Sequence, residues 1–312
     1  MQTMVGFSQE MFVLYGIAML GWIVRKIGIL NEDANDVLTQ LILYITLPAL
    51  ILFSLDLSFS FSLIKEFFWL VTMSAYVLVL SCLLASWMRR NTKLPEKQTS
   101  VYEGLIIFGN QGFIGYAVIF IIFNEQGIMY LTMFNLCYLL LLWSYGIYLF
   151  SKNKDEINWK KLCLNPGFLS TIVGMIIFIL PIGWPDMISK GFEMIGKMTI
   201  PLSMLVIGSL IANMKDHFLI SAVKYGPLWK VAIAKLLFIP LFLLPFIGSS
   251  VPNSLLFIAV IVSGMPSAPT IALYAQKYSA DVHFASLGIL LTTLLCVITI
   301  PILYMVVSLF SN

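Results

Sequence analysis

Residues 109–115 read GNQGFIG, between the apolar runs VYEGLIIF (101–108) and YAVIFIIF (116–123). Three glycines, an asparagine and a glutamine stand where an uninterrupted apolar helix would carry leucines. Glycine lets the backbone leave helical geometry at no steric cost. The stretch therefore predicts a helix broken near its middle, with polar groups at the break. What such a break can do depends on the solvent around it.

Composition identifies that solvent. The chain has 312 residues, 60% of them hydrophobic and 11% charged, and its mean hydropathy is +0.96. A soluble domain carries about 25% charged residues. No water-soluble fold could cover this much apolar surface, so the chain is read as an integral membrane protein. Inside a bilayer every backbone N–H and C=O must be satisfied by the protein, which leaves helices or closed barrels. The apolar runs are roughly 20 residues long and do not alternate, so helices are expected. Ten segments can be marked, at 7–24, 37–55, 67–88, 99–123, 128–150, 167–183, 190–212, 225–247, 253–275 and 283–309. The N-terminal MQTMVGFSQEMF has no basic residue, which argues against a cleaved signal peptide. Cys82, Cys137, Cys163 and Cys296 have no metal or redox spacing and read as small core residues.

Charge placement orients the segments. Connections after the first, third, fifth, seventh and ninth hold Arg25 and Lys26; Arg89, Arg90, Lys93 and Lys97; Lys152, Lys154, Lys160 and Lys161; Lys215 and Lys224; and Lys277. The other connections hold Lys65 and Lys190. By the positive-inside rule the richer set is cytoplasmic and both termini are extracytoplasmic, in the plasma (inner) membrane. The small net charge, +3, gives no basis for nucleic-acid binding.

The two halves are alike. YITLPALILFSL (44–55) carries Pro48, and KMTIPLSMLVIGSL (197–210) carries Pro201, 153 residues later. GNQGFIG in the fourth segment is matched by SGMPSAPT (263–270) in the ninth, and Gly112 and Ser267 are 155 apart. Two five-helix repeats are expected, 1–156 and 157–312. Because five is odd, the second enters the membrane inverted. Interrupted helices at matching places in inverted repeats point to a transporter's substrate site. The continuing half-helices, expected to start near Phe113–Tyr116 and Thr270–Ile271, would aim N–H groups at an anion.

IIFGNQGFIGYAVIFIIFNEQG (106–127) resembles the fourth-helix signature of the auxin efflux carrier family, which includes bacterial malate and malonate permeases. Asn110, Gly112, Phe113 and Gly115 match its pattern Asn-x-Gly-Phe-x-Gly-x-Pro. Ala117 stands where the family often has Pro, which leaves the flexibility there to Gly115. VAIAKLLFIPL (231–241) resembles the family's eighth helix. VSGMPSAPTIALYAQKYSADVHFASLGILLTTLLCVITIP (262–301) resembles its ninth and tenth. The resemblance implies ten transmembrane helices with helices 4 and 9 broken and crossing, as in bile-acid sodium symporters. It also implies transport of small organic anions, with helices 3–5 and 8–10 moving against a scaffold of helices 1, 2, 6 and 7.

Polar residues inside the apolar segments are candidates for the site. Asn110 can bind a carboxylate or cap a freed half-helix, and Gln111 adjoins it. Gly112, Gly115, Pro266, Ser267 and Pro269 shape the two breaks. Lys235 lies about ten residues into its segment, too deep to reach headgroups easily, and needs a partner. An anionic substrate, a buried carboxylate or a row of carbonyls would serve. Glu103 is a candidate for proton coupling, or else pairs with a nearby basic side chain. Asn135, Tyr138, Ser203 and Ser209 are weaker candidates for lining a cavity. Glu193 and Lys197 read as a surface pair, and His217 and His283 form no metal site by spacing. No phosphate-binding loop and no catalytic constellation is present, so neither an ATP motor nor an enzyme is indicated, and no cofactor is implied. The expectation is a secondary carrier of a small carboxylate such as malate, malonate or an auxin-like acid. The alternatives are a sodium-coupled bile-acid-type symporter and a membrane sensor retaining the carrier fold. The exact substrate, H+ or Na+ as coupling ion, the direction of flux and homodimerisation stay open.

Overall fold

The computed structural model describes residues 4–56, 60–151, 165–180, 183–212 and 222–310. Lys152, Lys154, Lys160, Lys161, Cys163, Lys215 and His217 lie outside the described residues. Among the described residues the secondary structure is helical, apart from one isolated bridge between Gly109 and Ser267.

Among the described residues, each of the ten apolar stretches contains helix. In chain order the helices are α1 (Met4–Lys26), α2 (Glu32–Ser54), α3 (Phe61–Arg90) and α4 (Glu96–Ile107). Then come α5 (111–123), α6 (125–150), α7 (Pro166–Ile179) and α8 (Asp186–Ala212). Last are α9 (Gly226–Phe246), α10 (Asn253–Ser263), α11 (Thr270–Lys277) and α12 (Val282–Phe310). Among the described residues, six helical stretches are long and apolar enough to cross a membrane. They are α2, α3, the stretch Gln111–Phe150, α8, α9 and residues Val282–Ser308 of α12. The fourth and ninth segments are each split into two shorter helices, as their polar interruptions predict.

Residues 111–150 are not one rod. Asn124 has φ 53 and ψ −145. The Tyr116 and Thr132 hydroxyls lie 3.1 Å apart. Along one continuous helix, sixteen residues at about 1.5 Å each would separate them by about 24 Å. The chain therefore reverses at Asn124, and the turn is tighter than the gap between 123 and 128 suggested.

Prolines perturb the helices where they stand. A proline lacks the N–H and its ring displaces the carbonyl four residues back. Ahead of Pro48 the backbone widens into a π turn at Ile42–Thr46, and ahead of Pro240 into another at Ala234–Phe238. In α8 the helix is interrupted at Met198, three residues before Pro201.

The chain forms two compact units. The first contains Met1–Lys65, Gly112–Met133 and Cys163–Met214. In it α1 packs on α8, where a Cβ at Gly21 or Gly208 would overlap the backbone of Leu205 or Ala18. Such close approach of small residues is how helices gain dispersion contact in lipid. Asp56 accepts the Trp184 N–H at 3.1 Å and the Ser189 hydroxyl at 2.6 Å, holding the start of α8. Lys197 bonds Glu193 at 2.7 Å and Glu125 at 3.3 Å, so the expected surface pair is a three-residue cluster. The resemblance grouped residues 112–133 with helices 3–5. Here they fall in the first unit, where Glu125 pairs with Lys197 of α8.

Thr46 and Thr199 stand at the same place in the two halves, two residues before Pro48 and Pro201. The Thr199 hydroxyl donates to Thr46 Oγ1 at 3.0 Å, and both are buried. Thr46→Val or Thr199→Val should each cost about 0.5–1.5 kcal/mol. The double variant should cost less than the sum, because one bond is lost in all three. Thermal unfolding of the purified variants checks this, and strict additivity would count against the pair.

The second unit contains Glu66–Gln111, Phe134–Leu162 and Lys215–Asn312. Its centre is α10, buried continuously from Leu255 to Ser263. A helix apolar all round is covered on all faces. At one end of this unit, Tyr225 donates to Gln98 at 2.9 Å, and Gln98 donates to Asp281 at 2.9 Å. Asp281 also accepts the Phe284 N–H at 2.9 Å and donates its own N–H to Lys97 O at 3.0 Å. The starts of α4, α9 and α12 are thereby tied together.

Candidate functional site: the paired helix breaks

Helix α4 ends at Ile107 because Phe108 turns extended, with φ −94 and ψ 116. Helix α10 ends at Ser263, followed by Gly264 and the proline pair of MPSAP. Both ends leave peptide groups without helical partners inside the protein, where each must be satisfied.

They satisfy each other. The Asn110 N–H donates to Pro266 O at 2.6 Å, and the Ala268 N–H donates to Phe108 O at 3.0 Å. These two bonds make the antiparallel bridge of Gly109 with Ser267. The partner of Ser267 is thus Gly109, three residues before Gly112, its counterpart by sequence offset. Side chains take up what remains. The Ser267 hydroxyl donates to Leu105 O at 2.7 Å, and its N–H donates to Thr292 Oγ1 at 3.1 Å. The Tyr138 hydroxyl donates to Gly109 O at 2.8 Å. Lys235 Nζ donates to Ile107 O at 3.3 Å.

Lys235 is 2% exposed. Among the described residues no ion pair includes it. Of the partners weighed for this lysine, a carbonyl at a helix end is the one present. A cation is favourable there because the C-terminal end of a helix carries partial negative charge. The ammonium lies beside Gly109, where a Cβ would stand 3.1 Å from Nζ. This first glycine of GNQGFIG is therefore the close-approach glycine. At Gly112 a Cβ meets nothing within 4 Å.

The second half-helix, α5, starts at Gln111 with a π turn to Gly115, earlier than expected. Helix α11 starts at Thr270, as expected, behind Pro269. The N–H groups of residues 110, 267 and 268 are consumed by the pairing and by Thr292, and that of Gln111 bonds Gly109 O at 2.9 Å. The free bonding capacity is found on side chains. Gln111 Oε1 and Asn135 Oδ1 are buried without a hydrogen-bond partner. Asn135 precedes by one helical turn the Tyr138 that holds Gly109 O.

Glu103, 2% exposed, sits one turn before the break and pairs with Arg89 at the end of α3. The structure thus brings Asn110, Gln111, Pro266, Ser267 and Lys235 around one bridge, with Pro269 three residues on and Glu103 a turn away. Gly112 and Gly115 open the stretch that belongs to the first unit. Ser203 and Ser209 are also in that unit, buried and without a hydroxyl partner. Sequence reading missed Thr292 and Arg89 as parts of this arrangement. A lone Thr in an apolar helix normally bonds its own backbone, and Arg89 sat among loop charges.

Apolar helices of spanning length, with two helix breaks paired in a polar core, define a polytopic membrane transporter. The chain belongs to the auxin efflux carrier family: the model described as membrane transport protein matches residues 7–158 and again 153–304. An uncharacterized transporter of Methanocaldococcus jannaschii, MJ1031, is 24% identical over 300 residues, spanning 92% of this chain and 94% of that protein. An uncharacterized transporter of Methanothermobacter thermautotrophicus is 24% identical over 309 residues, spanning 95% and 97%.

Proposed function

We propose that this protein is a secondary carrier of small organic anions, with a dicarboxylate such as malate or malonate as its cargo. It works by alternating access around the paired breaks. The observation that carries this reading is the buried ammonium of Lys235 at the meeting of two broken helices. A positive, polar, non-helical spot inside an apolar protein suits a carboxylate and little else. Asn110 and Gln111 offer amide donors, Lys235 adds positive charge, and Gly112 and Gly115 let α5 adjust. Pro266, Ser267 and Pro269 hold the facing break. Glu103 is the coupling carboxyl, with Arg89 as its resting partner.

The architecture proposed is ten transmembrane helices in two inverted repeats, 1–156 and 157–312. Support comes from the two successive family matches, the Thr46–Thr199 contact at an offset of 153, and the paired breaks. The thirteen basic residues of the odd-numbered connections support a reading with those loops in the cytoplasm and both termini outside.

Purified protein in liposomes should accumulate labelled malate or malonate, tested against a monocarboxylate, an auxin-like aromatic acid and a neutral solute. Asn110→Ala should lower apparent affinity about ten- to a hundred-fold, the worth of a contact to a charged group. Folded yield should not change. Accumulation of no carboxylate under any ion gradient would overturn the reading.

A further inference from the structure

The carbonyls at the end of α4 have distinct fates. Gly104 O takes the Phe108 N–H, Leu105 O takes the Ser267 hydroxyl, and Ile107 O takes the ammonium of Lys235. In carriers with discontinuous helices, the C-terminal ends of half-helices and unwound carbonyls are where coupling cations coordinate. An ammonium resembles a small monovalent cation in charge, and like one it is satisfied by carbonyl oxygens, here Ile107 O at 3.3 Å. Here that cation is attached to the chain. It is buried and outside every ion pair among the described residues, and Gly109 leaves it room. Its stem rises from the π turn Ala234–Phe238 ahead of Pro240, which re-aims the side chain within α9.

We infer that Lys235 is the resident cation of this broken helix, standing where a coupling sodium ion would coordinate. A second cation at the same carbonyls would sit a few ångströms from the ammonium and be repelled. The α4 end therefore keeps its cation through the transport cycle and takes up no sodium there. This rests on the carrier reading for its meaning. The site itself is tested without substrate.

The test measures thermal unfolding of the purified protein in sodium, potassium and N-methylglucamine chlorides at equal ionic strength. Wild type should unfold at the same temperature in all three. Lys235→Ala should unfold roughly 3–10 °C lower in N-methylglucamine, from loss of a charge-assisted bond at a buried end. Sodium or propylammonium, which supplies the deleted stem and charge, should restore at least half of that loss with saturation. The inference is overturned if wild type gains stability from sodium. It also fails if Lys235→Ala is as stable as wild type, or if no small cation repairs it. Should Lys235→Ala not accumulate, folded yields decide. Lys235→Arg keeps a cation and should exceed the neutral Lys235→Met, and the reverse order sinks the idea. If these results hold and no carboxylate is carried, the carrier reading has failed and the cation site stands.

Discussion

Gly109→Val is expected to abolish uptake and to lower stability by about 3–5 kcal/mol. A Cβ at this position would lie 3.1 Å from Lys235 Nζ, 3.2 Å from its Cε and 3.4 Å from Met265 O. Alanine forces the lysine to shift by a few tenths of an ångström. The branched valine drives it off Ile107 O. Overpacking costs about 1–3 kcal/mol, and the charge-assisted bond about 1.5–3 more. The bridge to Ser267 tightens the constraint, because Phe108 and Asn110 on either side are both bonded across it. Gly112→Ala is the control, since its added methyl meets nothing within 4 Å. Thermal unfolding and liposome uptake of both variants, with Gly109→Val repeated in a Lys235→Met background, check the cause. The penalty of Gly109→Val should shrink by the cost of the lysine contact in that background. An unchanged penalty would assign the effect to the backbone alone.

Arg89→Leu is expected to cost about 3 kcal/mol. Glu103 is 2% exposed, and without the guanidinium its carboxylate would be an uncompensated charge in the interior. Breaking a buried pair from one side typically costs about 3–5 kcal/mol. The lower end applies because the Arg89 side chain is 40% exposed. Arg90 and Tyr145 also lie within interaction range of Glu103. Adding Glu103→Gln to Arg89→Leu should recover most of the loss, since no buried charge then remains. Thermal unfolding of the two single variants and the double completes the cycle. Glu103→Gln alone separates structure from coupling. If Glu103 carries the coupled proton, this variant exchanges labelled for unlabelled substrate but no longer accumulates it on a pH gradient. Retained accumulation would leave Glu103 with a structural role only.

The breaks were legible because glycine and proline clusters have no other use in so apolar a helix. GNQGFIG and SGMPSAPT therefore marked the two paired breaks to within a few residues. The identity of the touching residue was not legible, because any of three glycines could make the close approach. Packing chose Gly109, where the Lys235 ammonium arrives from a helix more than a hundred residues away. The half-helix N-termini were read as the open donors. The N–H groups of Asn110 and Ala268, just ahead of the half-helices, are engaged by the opposite break, since an unpaired peptide group in this interior costs more than a modest bend. The open capacity on the side chains of Gln111 and Asn135 is that of acceptor oxygens.

Solvent and helical class follow from the sequence alone, because they depend on summed hydropathy and run length, which need no partner. The matching prolines and breaks of the two halves were likewise visible along one dimension. Tertiary structure decided what each buried charge faces. Lys235 could have met a carboxylate, a substrate or a carbonyl, and Glu103 could have stood alone or paired. Those outcomes rest on separations of about 3 Å between residues distant in the chain. Only the packing of α4 against α3, α9 and the MPSAP turn sets such distances.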